Sequence, residues 1–175
     1  MTEPTLFQND ALRVNNLYSD VMFTPSAMRA VIARLARVLP QLQAEHDFDT
    51  IVVTGKSGNA VGFALSMVTG IRVVHVRKGE SSHGDMIEGP NGHKLTRYAF
   101  FDDCIASGAT LRRVKKELAN FAQCRGCAEP QHVLNILYQG YENGLRSNHA
   151  GPPTYYVDWH HAVAHEAANH LLLAA

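Results

Sequence analysis

The chain has 175 residues, a length that suits one domain around a single sizeable core. With 46% hydrophobic and 18% charged residues, and 16 Lys plus Arg against 16 Asp plus Glu, it has the composition of an ordinary globular protein. Its bulk charge favours neither nucleic acid nor an anionic membrane, so an anionic small ligand would need a local site.

The opening stretch, MTEPTLFQND, carries acidic residues and no apolar core, which is not the pattern of a signal peptide. The longest apolar runs fall well short of a membrane span. Three Cys without a disulfide framework suit a reducing cytoplasm, the expected location.

The first clear element is a helix. Thr24 is a candidate N-cap, with Pro25 at the first helical position, where its missing N–H costs nothing. Met28, Val31, Ile32, Leu35, Val38 and Leu39 follow helical spacing, with Arg29, Arg34 and Arg37 largely off that stripe. Pro40 predicts an end near Leu39.

Strands and helices then alternate. Residues 50–54 (TIVVT) form a β-branched run, followed by a Gly-rich turn and a helix over about 60–69 that Gly70 can terminate. Residues 71–76 (IRVVHV) and 97–101 (RYAFF) read as the second and third strands. A helix over 110–122, a fourth strand over 133–138 (VLNILY), a fifth over 155–157 and a closing helix over 160–173 complete the pattern. Such alternation implies an α/β fold, a parallel sheet of about five strands flanked by helices. On such sheets ligands sit beyond the carboxyl ends of the strands. Residues 78–96 break the rhythm with four Gly, one Pro and almost no apolar periodicity, as a functional lid or a disordered segment does.

The most informative stretch is 100–111, FFDDCIASGATL. Two carboxylates at a strand end precede a turn of small residues that opens a helix. Ala106, Ser107, Gly108 and Ala109 leave room for an anion to reach the backbone. The N–H groups there, the Ser107 and Thr110 hydroxyls and the helix dipole together can hold a phosphate. Asp102 and Asp103 would repel that phosphate, and make better sense facing ribose hydroxyls or Mg²⁺. A second turn, VTGKSG over 53–58, carries Lys56 at its tip between Gly55 and Gly58. Those glycines can serve the turn geometry alone, or the turn can meet an anion.

The stretch around the acidic pair resembles the 5-phosphoribosyl-1-pyrophosphate (PRPP) motif of type I phosphoribosyltransferases. That motif is a hydrophobic strand, two acidic residues, two variable ones, then small, Ser/Thr, Gly, small, Ser/Thr. Carried over, Asp102 and Asp103 would contact the ribose hydroxyls, and Ala106, Ser107, Gly108, Ala109 and Thr110 would clasp the 5-phosphate. Gly55, Lys56, Ser57 and Gly58 stand where the family binds pyrophosphate, often through backbone amides and a strained or cis peptide. The stretch VRKGESSHG over 76–84 resembles the flexible loop of orotate phosphoribosyltransferases, Arg77, Lys78, His83 and Gly84 matching in identity and spacing. An Arg-Lys pair also occurs there in adenine phosphoribosyltransferases.

One departure stands out: the loop lysine of the orotate enzymes falls at Ser81. Lys78, His83, His93 or a partner subunit's residue is a candidate substitute, with Lys78 placed among the catalytic residues beside Asp102 and Asp103.

The resemblance covers about half the chain. It implies a single phosphoribosyltransferase-like domain, its core at about 24–139 and a small hood from about 1–23 and 140–160. It also implies transfer from PRPP to a nitrogenous base, orotate-like or purine, with Mg²⁺ as cofactor and a homodimer as the assembly. The alternative is a non-catalytic PRPP- or nucleotide-binding regulator of the same fold. Outside the motif, His161 and His165 share a helical face and Cys124 and Cys127 form one CxxC. Both are read as structural rather than metal-binding. Trp159 and Tyr155 either stack on a base or anchor the last helix.

Overall fold

The computed structural model describes residues 20–79, 86–139 and 151–157. A four-residue turn of helix, α1 (Asp20–Phe23), leads into the long α2 (Pro25–His46), which starts at Thr24 and Pro25 as its capping residues predict. Its core stripe of Val31, Leu35, Leu39 and Leu42 is buried. Because Leu42 prolongs that stripe, the helix does not stop at Pro40 but runs through it to His46. The proline ring lies on the exposed side, where a lost backbone hydrogen bond is most easily offset by water.

Six strands form one sheet in the order β3-β2-β1-β4-β5-β6. These are β1 (Thr50–Val53), β2 (Arg72–Val76), β3 (Ile87–Glu88), β4 (Arg97–Asp102), β5 (Gln131–Leu137) and β6 (Thr154–Tyr156). All neighbours pair parallel except β2 with β3, so five strands follow the expectation and a short antiparallel sixth is added within the Gly-rich stretch. Two residues are too few to show alternation in sequence. The strand β6 extends the sheet beside β5.

Helices α3 (Gly55–Thr69) and α4 (Ala109–Cys124) connect the parallel strands. The period of two along β1 sends Ile51 and Val53 into one apolar cluster, with α2 and α3, and Val52 into the other, with Val114 and Leu118 of α4. Right-handed crossovers that extend the sheet in opposite directions require the two helices to lie on opposite faces, as they do. Gly70 ends α3 at φ 75°, and its N–H donates to the Ser66 carbonyl at 2.8 Å. Val21 of α1 is fully buried in the first cluster, which ties that turn to the core. The expected closing helix over 160–173, Trp159, His160, His161 and His165 lie outside the described residues.

Candidate functional site

The strands β2 and β4 flank β1 on opposite sides, so the chain order reverses between β1 and β4. Their carboxyl ends open onto the same edge, at the kind of switch point where α/β sheets bind ligands. Both informative turns of the sequence emerge there, one after Val53 and one after Asp102.

Asp102 closes β4 and is 5% exposed. Its Oδ1 accepts from the Ser57 hydroxyl at 2.9 Å and from the Asp103 N–H at 3.0 Å. Burial, then the charge of Asp103, pushes its carboxyl up to about 7. Asp103 is half-buried, and its Oδ1 caps the Cys104 N–H at 2.9 Å, which leaves it the more open of the pair to a ligand. Burial and then the two aspartate charges push the Cys104 thiol up to about 11, so it is an inert neighbour at neutral pH.

Beyond the pair, Ala106, Ser107 and Ala109 are exposed and Thr110 half-buried. Gly108 opens α4 at φ 70°, a left-handed conformation that disfavours any side chain. The Ser107 hydroxyl accepts from the Ala109 N–H at 3.3 Å. No acidic residue occupies the first turn of α4, whose helix-terminal N–H groups favour negative charge.

The turn after β1 differs from the expectation in one respect. It is not a loop ahead of a helix near Ala60; α3 starts at Gly55, so Gly55, Lys56, Ser57 and Gly58 are themselves its first turn. Their N–H groups are thus helix-terminal donors, at the end of the helix that favours negative charge. Gly55 sits at φ 68°, and no peptide bond among the described residues is cis. A Cβ built on Gly55 would fall 2.6 Å from Lys78 Nζ, so the lysine lies directly over this turn. A Cβ on Gly58 would fall 3.0 Å from the Phe101 carbonyl oxygen and 3.4 Å from Asp102 Oδ1, so only glycine lets α3 approach the end of β4 this closely. An open cleft of about 720 Å³ lies over the turn, bordered by Lys56, Asn59, His75, Arg77, Lys78 and Glu88 among others.

Several of these residues carried no motif. Glu88 of β3 pairs with Arg77 and lies 3.5 Å from His75, whose ring Nε2 meets the Asn59 amide at 3.1 Å. Thr54 is fully buried, donates to the Val76 carbonyl at 2.6 Å and accepts from Arg113 at 2.9 Å. The available signal was electrostatic: Arg112 and Arg113 stand early in a helix, where the macrodipole disfavours cations. Such residues have reasons to be there other than local stability. Arg112 donates to the Ser107 carbonyl at 3.0 Å and braces the turn that opens α4.

Not every predicted residue gathers. The ring of His93 meets the Thr50 hydroxyl at 2.8 Å, at the start of β1 and so the opposite end of the sheet from the cleft. It therefore does not stand in for the loop lysine. Ser81, His83 and Gly84 lie outside the described residues. Cys124 and Cys127 are exposed free thiols behind the far end of α4.

Among the described residues no group of three or more His, Cys, Asp or Glu gathers as a metal cage, and no helix is long and apolar enough to cross a membrane. The donor set of Asp102 and Asp103 fits a Mg²⁺ ion that is held chiefly by substrate phosphates and water, with a carboxylate or two from the protein.

No protein-family model matches the sequence, and no curated protein matches it. Solved structures do. The chain is similar to Leishmania donovani UMP synthase at TM-score 0.59 and 19% identity, over 86% of this chain and 32% of that one. It is similar to Saccharomyces cerevisiae adenine phosphoribosyltransferase at 0.58 and 17%, over 78% and 81%. A third likeness is to Francisella tularensis orotate phosphoribosyltransferase, at 0.51 and 13%, over 69% and 53%. The chain thus spans about a third of the first and half of the last, but most of the adenine enzyme. It has the fold of the orotate and adenine phosphoribosyltransferases, type I, with neither subtype singled out.

Proposed function

We propose that this chain is a phosphoribosyltransferase that moves the 5-phosphoribosyl group from PRPP to a nitrogenous base, orotate-like or purine, and releases pyrophosphate. The observation that carries the reading is the Ser57–Asp102 hydrogen bond at 2.9 Å. It joins the acidic pair to the first turn of α3, so two helix-terminal anion sites stand side by side with carboxylates between them. PRPP has this order of groups: a 5-phosphate, two ribose hydroxyls and a pyrophosphate.

In this reading the turn of Ala106, Ser107, Gly108, Ala109 and Thr110 receives the 5-phosphate. Asp103, supported by Asp102, accepts hydrogen bonds from the ribose hydroxyls. The N–H groups of Gly55, Lys56, Ser57 and Gly58 and the Lys78 ammonium receive the pyrophosphate. As the base nitrogen bonds to the anomeric carbon, the bond to the pyrophosphate oxygen breaks, its electron pair leaves with the pyrophosphate, and the base gives up its proton. Charge grows on the leaving group, and fixed donors already aimed at it lower the barrier. Mg²⁺, when bound with PRPP, supplies further neutralisation of the phosphates. Arg77, which borders the cleft, adds to the charge balance there beside Lys78. The yeast enzyme similar to this chain was captured with an imino-altritol bisphosphate and adenine, ligands consistent with this assignment.

We place the homodimer contact on α3, whose Phe63, Met67 and Val68 are exposed. A second reading, a PRPP- or nucleotide-binding regulator without turnover, is favoured by one observation: Ser81 stands where the orotate enzymes carry the loop lysine. Calorimetric titration with PRPP and Mg²⁺, then pyrophosphate release across orotate, uracil, adenine, guanine, hypoxanthine and nicotinate, separates the two. A transferase gives binding and base-dependent release. Binding without release leaves the regulator, and no binding removes both.

A further inference from the structure

Arg113 belongs to α4, one turn beyond the phosphate turn, yet its guanidinium reaches away from that turn. One nitrogen donates to the Arg77 carbonyl at 2.6 Å and the other to the Thr54 hydroxyl at 2.9 Å. The Thr54 hydroxyl in turn donates a hydrogen bond to the Val76 carbonyl at 2.6 Å. The ends of β1 and β2 and the start of α4 are therefore tied at one side chain. The next residue after each tied one is functional in phosphoribosyl transfer as proposed: Gly55 comes directly after Thr54, and Lys78 directly after Arg77. Arg77 also donates its N–H to the Met86 carbonyl at 2.9 Å, at the root of the β2–β3 hairpin.

The charge balance points the same way. Arg113 is partly buried, and among the described residues no carboxylate forms an ion pair with it. A partly desolvated cation held only by a carbonyl and a hydroxyl is costly for stability alone. A methionine would fill the same space, whereas the planar fork of arginine reaches two acceptors on different segments at once.

We propose that Arg113 is a positioning residue that locks the turn over Gly55–Gly58 and the root of the β2–β3 hairpin to α4, so that the two anion sites and Lys78 keep one mutual arrangement. The assignment rests on the PRPP reading for its purpose, but its physical content does not, and the test separates the two.

The experiment is amide hydrogen exchange on the whole protein as wild type, Arg113→Met, Arg113→Lys and Thr54→Val, each with and without PRPP and Mg²⁺. Loss of charge-assisted hydrogen bonds of this kind corresponds to about tenfold or more in a local equilibrium. Arg113→Met should speed exchange by about tenfold at the helix-bonded amides 58–61, the first of which donates to the Thr54 carbonyl, and at 77 with 86–88, and leave 131–137 unchanged. Lysine keeps the charge but not the fork, so Arg113→Lys should resemble Met rather than wild type. Thr54→Val should reproduce the effect at 58–61 even if the arginine variants fail to fold. Unchanged exchange at 58–61 in all three variants, or a uniform rise everywhere, overturns the assignment. Wild type that gains no protection from PRPP overturns the PRPP reading instead, and leaves the exchange comparison among the variants standing.

Discussion

Asp102 and His132 set opposing pH dependences, and the site is best tested where they cross. Asp102 has its folded-state pKa raised to about 7 by burial and by Asp103. The native state therefore holds a proton that the unfolded chain releases near the ordinary aspartate value of 3.8, and the stability this confers is lost as pH rises through about 7. His132, stacked on Tyr98 at 5.2 Å, has its pKa lowered to about 4 by burial and then by the Lys115 charge. Its contribution runs the other way, present above 6.5 and lost as pH falls through about 4. Wild type should thus show a shallow thermal profile between pH 4 and 7. Asp102→Asn removes the first slope, because an amide neither titrates nor repels Asp103. Thermal denaturation of that variant should show Tm climbing steadily from pH 4 to 7, and at pH 8 should exceed wild type by about 3 °C or more. A parallel pair of profiles would mean that Asp102 is ionised throughout. The same substitution should weaken PRPP binding, since an amide disturbs the acceptor that Ser57 and the Asp103 N–H share and so the placing of Asp103 toward the ribose; the variant trades affinity for stability.

Helices and strands were legible where burial is one-sided or complete. The strand β1 shows as a β-branched run because both its faces are covered, and α2 shows its entry because Thr24 and Pro25 act locally. Its exit was hidden, since Pro40 is a local signal overruled by a distant one, the burial of Leu42. The start of α3 was hidden for a related reason. Gly55 and Gly58 lower helix propensity, but the close approach to β4 requires them. Gly62 extends this logic two turns further along. A Cβ there would fall 2.6 Å from Val53 Cγ1, inside the core, where neither the strand nor the helix can yield. Gly62→Ala should therefore cost about 1–3 kcal/mol by overpacking, measured by urea denaturation, despite the better helix propensity of alanine. Lifting α3 also draws Ser57 away from Asp102, so PRPP affinity should fall along with stability. A variant with higher stability would show that the helix can shift at no cost, and that the Ser57–Asp102 contact is adjustable.

At the scale of the molecule, formal charge cancels while function requires strong local potentials. The acidic pair was readable because twelve consecutive positions serve one turn, but Thr54, His75, Glu88 and Arg113 meet only through the sheet order β2-β1-β4 and so carry no local signature. That order places Asp102 and Asp103 between two helix N-termini with Lys56 and Lys78 on one of them, so the folded chain holds mutually repelling groups in register for a ligand. A ligand with phosphates on both sides of a diol, and a cation on those phosphates, relieves both repulsions at once. It should therefore stabilise the fold more than either half of it does. PRPP with Mg²⁺ at about a hundred times its dissociation constant should add about 2.7 kcal/mol, which for a chain of this size is about 5–10 °C in Tm. Ribose 5-phosphate or pyrophosphate alone, at the same concentration, should each give less than half that shift. Chelation of Mg²⁺ should remove most of the PRPP shift, because the carboxylates would then face bare phosphate. Equal shifts from pyrophosphate alone and from PRPP would assign the cleft to a simpler anion, and would leave the acidic pair without a ligand to explain it.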